Sequence, residues 1–211
     1  MNFKPYYPLL IITSLFYSTQ LIAESQTTNI SNLIAPIKQP IIAYFDKNGV
    51  FNKYAVKNGY YRVLLERNTD GLYLVQDFYQ SNNKPQSSPF WEAIPAKLFS
   101  FESSDVDGSI TLYREDGTII SKFVNKDGDV IDEQEYYPNG QIGSSYKLTE
   151  DGFTTIEFWY ASGAKATKYI LDADEKLVSS KAWKEDGTET EDFKGVSEKV
   201  YALLDHDFQK D

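Results

Sequence analysis

The chain has no cysteine and, in 211 residues, a single histidine and a single methionine. Without cysteine there is no disulfide, no thiolate nucleophile and no thiolate metal site. One histidine, His206, leaves zinc coordination and histidine-based catalysis without their usual ligands, and no serine or cysteine motif marks a nucleophile for it. Apolar runs are scarce too. The one long stretch, Tyr7 to Ala23, follows Lys4 and has the layout of an export signal, with small residues for cleavage at Ala23-Glu24-Ser25. Residues 1–25 are therefore read as a signal peptide, and no cysteine stands near the cut to carry a lipid. After cleavage no run approaches membrane length, so integral membrane association is not expected. Basic residues are outnumbered, 21 Lys and Arg against 31 Asp and Glu, for a net charge of −10. That balance repels phosphate backbones and anionic membranes, and it argues against nucleic acid as a partner.

What the chain does have is aromatic surface, with 16 Tyr, 13 Phe and 3 Trp. Such a composition can bury enough area to offset chain entropy, so a folded domain is expected. The aromatics are periodic. Gly117, Gly140, Gly163 and Gly187 recur at steps of about 23 residues, the length class of a tandem repeat. Four residues before each glycine stands Tyr113, Tyr136, Trp159 or Trp183, and six after stands Phe123, Tyr146, Tyr169 or Phe193. Secondary turn signals at Asp107-Gly108, Asp127-Gly128 and Asp151-Gly152 fall between them, which makes each repeat a pair of strands. The fold class follows: an all-β antiparallel meander of hairpin repeats, closed by a short C-terminal helix.

Along the chain, residues 26–39 read as a flexible leader and residues 40–80 as degenerate hairpin repeats with turns at Asn48-Gly49, Asn58-Gly59 and Asp70-Gly71. Residues 81–97 hold prolines in a polar cluster and read as a loop between two halves of one sheet, or two small sheets. Residues 98–194 carry the clear repeats. Residues 195–211 read as an amphipathic helix, its apolar positions Val196, Val200, Leu203, Leu204 and Phe208 capping the last repeat.

Pro138-Asn139-Gly140 suits a three-residue hairpin loop, with Gly140 in the left-handed conformation. An odd loop preserves parity across the turn. On that register Tyr136 shares a face with Tyr146, Trp159 with Tyr169, and Trp183 with Phe193. The expectation is one aromatic stripe, Tyr113, Phe123, Tyr136, Tyr146, Trp159, Tyr169 and Trp183, serving as packing surface, recognition surface or both.

The unit Tyr136-Tyr137-Pro138-Asn139-Gly140 with Tyr146, and Trp159-Tyr160-Ala161-Ser162-Gly163 with Tyr169, resembles the variant MORN repeat and is similar to the repeats of bacterial YwqK-type antitoxin proteins. The resemblance covers Leu112 to Phe193 best and Ile41 to Phe78 weakly. It implies a hairpin array that binds a partner, often a cognate toxin, and it brings no catalytic residues. The last unit departs from the pattern, with Glu189 and Glu191 after the turn.

Other chemistry has weak signals. Asp105-Val106-Asp107-Gly108 invites a calcium loop, but Arg114 stands where a glutamate ligand belongs; Asp127-Gly128-Asp129, with Asp132 and Glu133, is a second acidic turn. The pairs Glu133/Glu135 and Glu189/Glu191 share strand faces in the manner of glycosidase carboxylates, with no cleft implied. No metal or cofactor is expected, and no enzyme. The resulting expectation is an exported protein, periplasmic or secreted, that binds another protein. In its sharpest form it is an immunity protein for a basic, envelope-acting toxin. The alternatives are an envelope structural module and a glycan- or lipid-binding module.

Overall fold

A computed structural model describes residues 39–102 and 106–208, with side chains to Leu204 in the terminal helix. The proposed signal peptide, almost all of the leader, Asp105 and the side chain of His206 lie outside the described residues. The strands are β1 (Ile41–Phe45), β2 (Phe51–Asn52), β3 (Tyr60–Arg67), β4 (Tyr73–Tyr79) and β5 (Phe90–Glu92), then β6 (Gly108–Tyr113), β7 (Ile119–Lys126), β8 (Asp129–Tyr136) and β9 (Ile142–Leu148). β10 (Thr154–Trp159), β11 (Lys165–Leu171), β12 (Leu177–Trp183), β13 (Glu189–Thr190) and helix α1 (Phe193–Phe208) follow among the described residues. The protein is an all-β antiparallel hairpin array with one C-terminal helix. A five-stranded sheet runs in the order β2-β1-β3-β4-β5, and an eight-stranded meander runs from β13 to β6 in unbroken sequence order.

The glycine ladder sets the turns. In the Tyr137–Gln141 loop the amide of Gly140 donates to the Tyr137 carbonyl and that of Tyr137 to the Gln141 carbonyl, both at 2.9 Å. Gly140 has φ +81°, a conformation that L side chains adopt only with strain. The same bonds recur at 114–118, 160–164 and 184–188.

A second rule links each unit to the next. The residue three before Gly117, Gly140 and Gly163, and likewise Tyr79 at the end of β4, reaches across and donates to the backbone carbonyl just before the following turn. Tyr137 Oη bonds the Trp159 carbonyl and Tyr160 Oη the Trp183 carbonyl, both at 2.9 Å. Arg114 Nη2 bonds the Tyr136 carbonyl at 2.6 Å, and Tyr79 Oη bonds the Tyr113 carbonyl at 2.7 Å. Tyr79, Arg114, Tyr137 and Tyr160 are buried, so each donor satisfies a polar group inside the fold.

The segment read as a loop, 81–97, contains structure. It holds β5, and its Gln86–Ser88 stretch stitches the two sheets together. Ser88 N donates to the Thr111 carbonyl at 2.7 Å and Tyr113 N to the Gln86 carbonyl at 2.8 Å, and Ser87 bridges Leu112. Prolines did not break the ladder, because Pro85 sits at an isolated bridge to Phe78 where its missing N–H costs nothing to the flanking bonds. Beyond it, Pro95–Phe99 is a 3-10 turn, so the clear repeats, expected from residue 98, begin with β6 at Gly108.

Two cores share one side of the array. Val75, Phe90, Leu98, Ile110 and Phe123 form the first. In the second, Tyr137, Phe158, Tyr160, Ala166 and Ala182 pack under Val196, Val200 and Leu204 of α1. Asp192 caps the helix, its Oδ1 accepting the Gly195 amide at 3.0 Å. Leu203, expected on the packed face, is 46% exposed, whereas Leu204, expected there too, is buried.

Candidate functional site

The meander has two faces, and their residues are fixed by register. The three-residue loops keep parity as expected, since Tyr136 pairs with Ile142. One step further the ladder slips, and Glu135 pairs with Ser144. The same slip separates Tyr113↔Ile119 from Leu112↔Ser121 and Trp159↔Lys165 from Phe158↔Thr167. Each is a β-bulge that adds one residue, Ile120, Gly143 or Ala166. Its mark is two consecutive buried residues in an otherwise alternating strand.

One extra residue reverses which face every later side chain occupies. The single aromatic stripe is therefore corrected to two rows. Tyr113, Tyr136, Trp159 and Trp183 stand on the outer face, all half-exposed. Phe123, Tyr146 and Tyr169 stand on the inner face, opposite Ile110, Glu133 and Ile156. Gly143 shows why the bulge is held: a Cβ there would lie 2.4 Å from Leu204 Cδ2 and 3.1 Å from Tyr137 Cε2, so the helix seats directly on this backbone. The final hairpin has no such slip, with Trp183↔Glu189 and Ala182↔Thr190 in register, and β13 is a two-residue edge before α1.

Between the two cores the inner face opens into a cleft of about 560 Å³ lined by Glu133, Tyr146, Leu148, Thr154, Asp172 and Glu175, with Asp129 and Val130 at its rim. Four of its lining side chains are carboxylates and none is cationic. Glu133 and Glu135 project from β8 into this side. Ser144 Oγ donates to Glu135 Oε2 at 2.6 Å, which holds one of the pair. Burial pushes the Glu133 carboxyl above the usual carboxylate range, and the neighbouring Glu135 charge pushes it further in the same direction. Tyr169 on the same face is also raised, by burial.

This shift has a sign that can be tested. A folded-state pKa above the unfolded one means the native protein binds the Glu133 proton more tightly than the denatured chain does. The contribution is most favourable at low pH, where both states are protonated, and is lost as pH rises through the usual glutamate range toward the raised value. Glu133→Gln is expected to raise the melting temperature at neutral pH, and the gain should shrink toward zero as the pH falls below the ordinary glutamate pKa. Thermal melts of both proteins across the acidic range check this; a gain independent of pH would contradict it.

The outer face has a different character. Lysines alternate with aromatics from strand to strand. Lys122 lies over the Tyr136 ring at 5.7 Å and Lys165 over the Trp159 ring at 5.8 Å. Three acids meet four of the lysines: Glu157 accepts Lys165 at 2.7 Å and lies 3.5 Å from Lys168, Lys181 lies 3.4 Å from Glu189, and Lys147 is 4.0 Å from Asp132. Burial raises Glu157, but the Lys165 hydrogen bond and the two lysine charges outweigh it and leave the carboxyl below its ordinary range.

The acidic turns have a local role. Asp107 Oδ1 accepts the Asp127 amide at 2.8 Å, so these acidic turns brace one another. Among the described residues no group of three or more His, Cys, Asp or Glu side chains is placed to hold a metal ion. Sequence reading had singled out Glu133, Glu135 and Tyr146 but not Asp172 or Glu175, which reach the cleft from the β11–β12 turn. The signal available for them was the acidic run Asp172-Ala173-Asp174-Glu175 at a turn.

A comparison with protein-family models finds no match for this chain, and a comparison with curated proteins finds none either. Among solved structures, the chain is similar to a mutant of S. aureus TarM crystallised with Fondaparinux, alpha-GlcNAc-glycerol and UDP. The identity is 14% and the TM-score 0.31, over 58% of this chain and 21% of that one. A likeness of that extent carries no argument about activity.

Proposed function

We propose that this chain is an exported, non-enzymatic binding protein whose acidic inner cleft receives a basic segment of a protein partner, in the manner of an immunity protein. The observation that carries the reading is Glu133. It is a half-buried carboxylate beside a second carboxylate, and the fold holds it at a cost that a glutamine would not incur. A lysine or arginine side chain entering the cleft would relieve that repulsion, and Tyr146 offers a ring for its stem. The cleft's surrounding carboxylates and the net charge of −10 favour encounter with a basic surface. The repeat resemblance, which implies a partner that is often a cognate toxin, and the signal-like N-terminus support an encounter in the cell envelope.

The test is capture of partners from envelope extract with tagged protein, wild type against Glu133→Gln/Glu135→Gln. The expected result is one stoichiometric basic protein, retained by wild type, lost at least tenfold by the double variant and eluted by salt. Equal retention by the variant, or no retained protein at low salt, overturns the reading.

A further inference from the structure

The outer face carries a row of half-exposed aromatics that the cleft does not use. Tyr113, Tyr136, Trp159 and Trp183 belong to neither hydrophobic core, although their inner-side neighbours Tyr137 and Tyr160 do. They recur on every second strand, β6, β8, β10 and β12. Neighbouring strands lie about 4.8 Å apart, so successive rings are spaced about 9.6 Å along the sheet. Phe78, stacked on Tyr61 at 5.2 Å, and Tyr44, paired with Tyr61, prolong the row onto the first sheet.

Charge narrows the occupant. Between the rings, lysines and carboxylates meet in the pairs Lys147–Asp132, Lys165–Glu157 and Lys181–Glu189, with Lys168 sharing Glu157 and Lys122 over the Tyr136 ring. A strip of interspersed charges offers donors and acceptors to hydroxyl groups, while the net charge of −10 opposes polyanions at long range. The ring spacing is close to the length of one disaccharide in an extended β-linked polysaccharide. Apolar sugar faces stack on such rings, and the paired side chains between them suit equatorial hydroxyls.

We propose that the outer face of the β6–β12 meander binds an extended, uncharged, β-linked glycan, with one disaccharide over each hairpin. Sheet twist turns successive rings by about 40–50° over two strands, so the ligand is a single flexible chain and not the flat face of a crystal. Lys122 and Lys165 cover Tyr136 and Trp159 and are exposed; they swing aside as sugar stacks.

The experiment uses cellohexaose, which spans three rings, and follows tryptophan fluorescence. The expected result is saturable binding that tightens from cellobiose to cellohexaose and changes little with salt. Trp159→Ala should weaken it about tenfold, the size of one lost stacking contact, with Tyr136→Ala similar and the melting temperature monitored for each. Equal affinity for cellobiose and cellohexaose overturns the proposal, as does preference for oligogalacturonate, retention on crystalline cellulose alone, or absence of binding by folded protein. A protein partner lost with Trp159→Ala but kept by Glu133→Gln/Glu135→Gln would also overturn it. Loss of the salt-sensitive partner through the cleft variant leaves glycan binding untouched, so the two surfaces fail separately.

Discussion

Arg62→Ala is expected to destabilise the protein by about 3–5 kcal/mol, a large part of a typical domain's stability. Arg62 is 1% exposed and forms a fork with Asp77, Nε to Oδ1 at 2.7 Å and Nη2 to Oδ2 at 2.8 Å. Its Nη1 also donates to the carbonyls of Lys97 and Ser100 at 2.9 and 3.0 Å, and its guanidinium lies between the rings of Phe45 and Phe90 at 5.3 and 5.2 Å. Removing it leaves the Asp77 carboxylate buried without its cation and frees the 3-10 turn from β3. Denaturant unfolding should show the loss, and Arg62→Met/Asp77→Leu should recover most of it, because the cost lies in the orphaned charge more than in the missing attraction. A double variant as unstable as the single would mean that the carbonyl contacts dominate.

Val200→Asp should be of comparable size, with a different signature. Val200 is fully buried in α1 against the second core. A carboxylate there has no cation in the cluster, and burying it unpaired costs several kcal/mol. The helix is expected to leave the sheet, exposing Phe158, Ala166 and Ala182. The measurement is cleavage near residue 193 by a dilute protease together with binding of a hydrophobic dye. Unchanged protection of the helix in a protein with normal circular dichroism would show that α1 is held elsewhere.

Much of the array was legible because turns are local chemistry. Glycine at a left-handed position, with Asp or Asn beside it, signals a hairpin without reference to anything distant, and the period of about 23 residues then implies the meander. The terminal helix was legible from Val196, Val200 and Leu204. The faces were not. A bulge is stabilised by what packs on it, and nothing near Gly143 in sequence announces Leu204, about 60 residues later. The dipeptides Ile120-Ser121, Gly143-Ser144 and Ala166-Thr167, an apolar or small residue and then a hydroxyl, are its trace once it is known. The Tyr137 and Tyr160 hydroxyl bonds were hidden for a similar reason, since their acceptors are backbone atoms and leave no residue preference. Of the cleft, Glu133 and Tyr146 were visible as residues, while their meeting with Asp172 and Glu175 depends on four strands folding into register.

The bulge also bears on how such a protein can diverge. Because it sends the residues before and after three of the four turns to opposite sides, a substitution on the outer face does not touch the side chains of the two cores. Outer-face chemistry can thus vary one hairpin at a time, while the helix-covered side keeps the same composition.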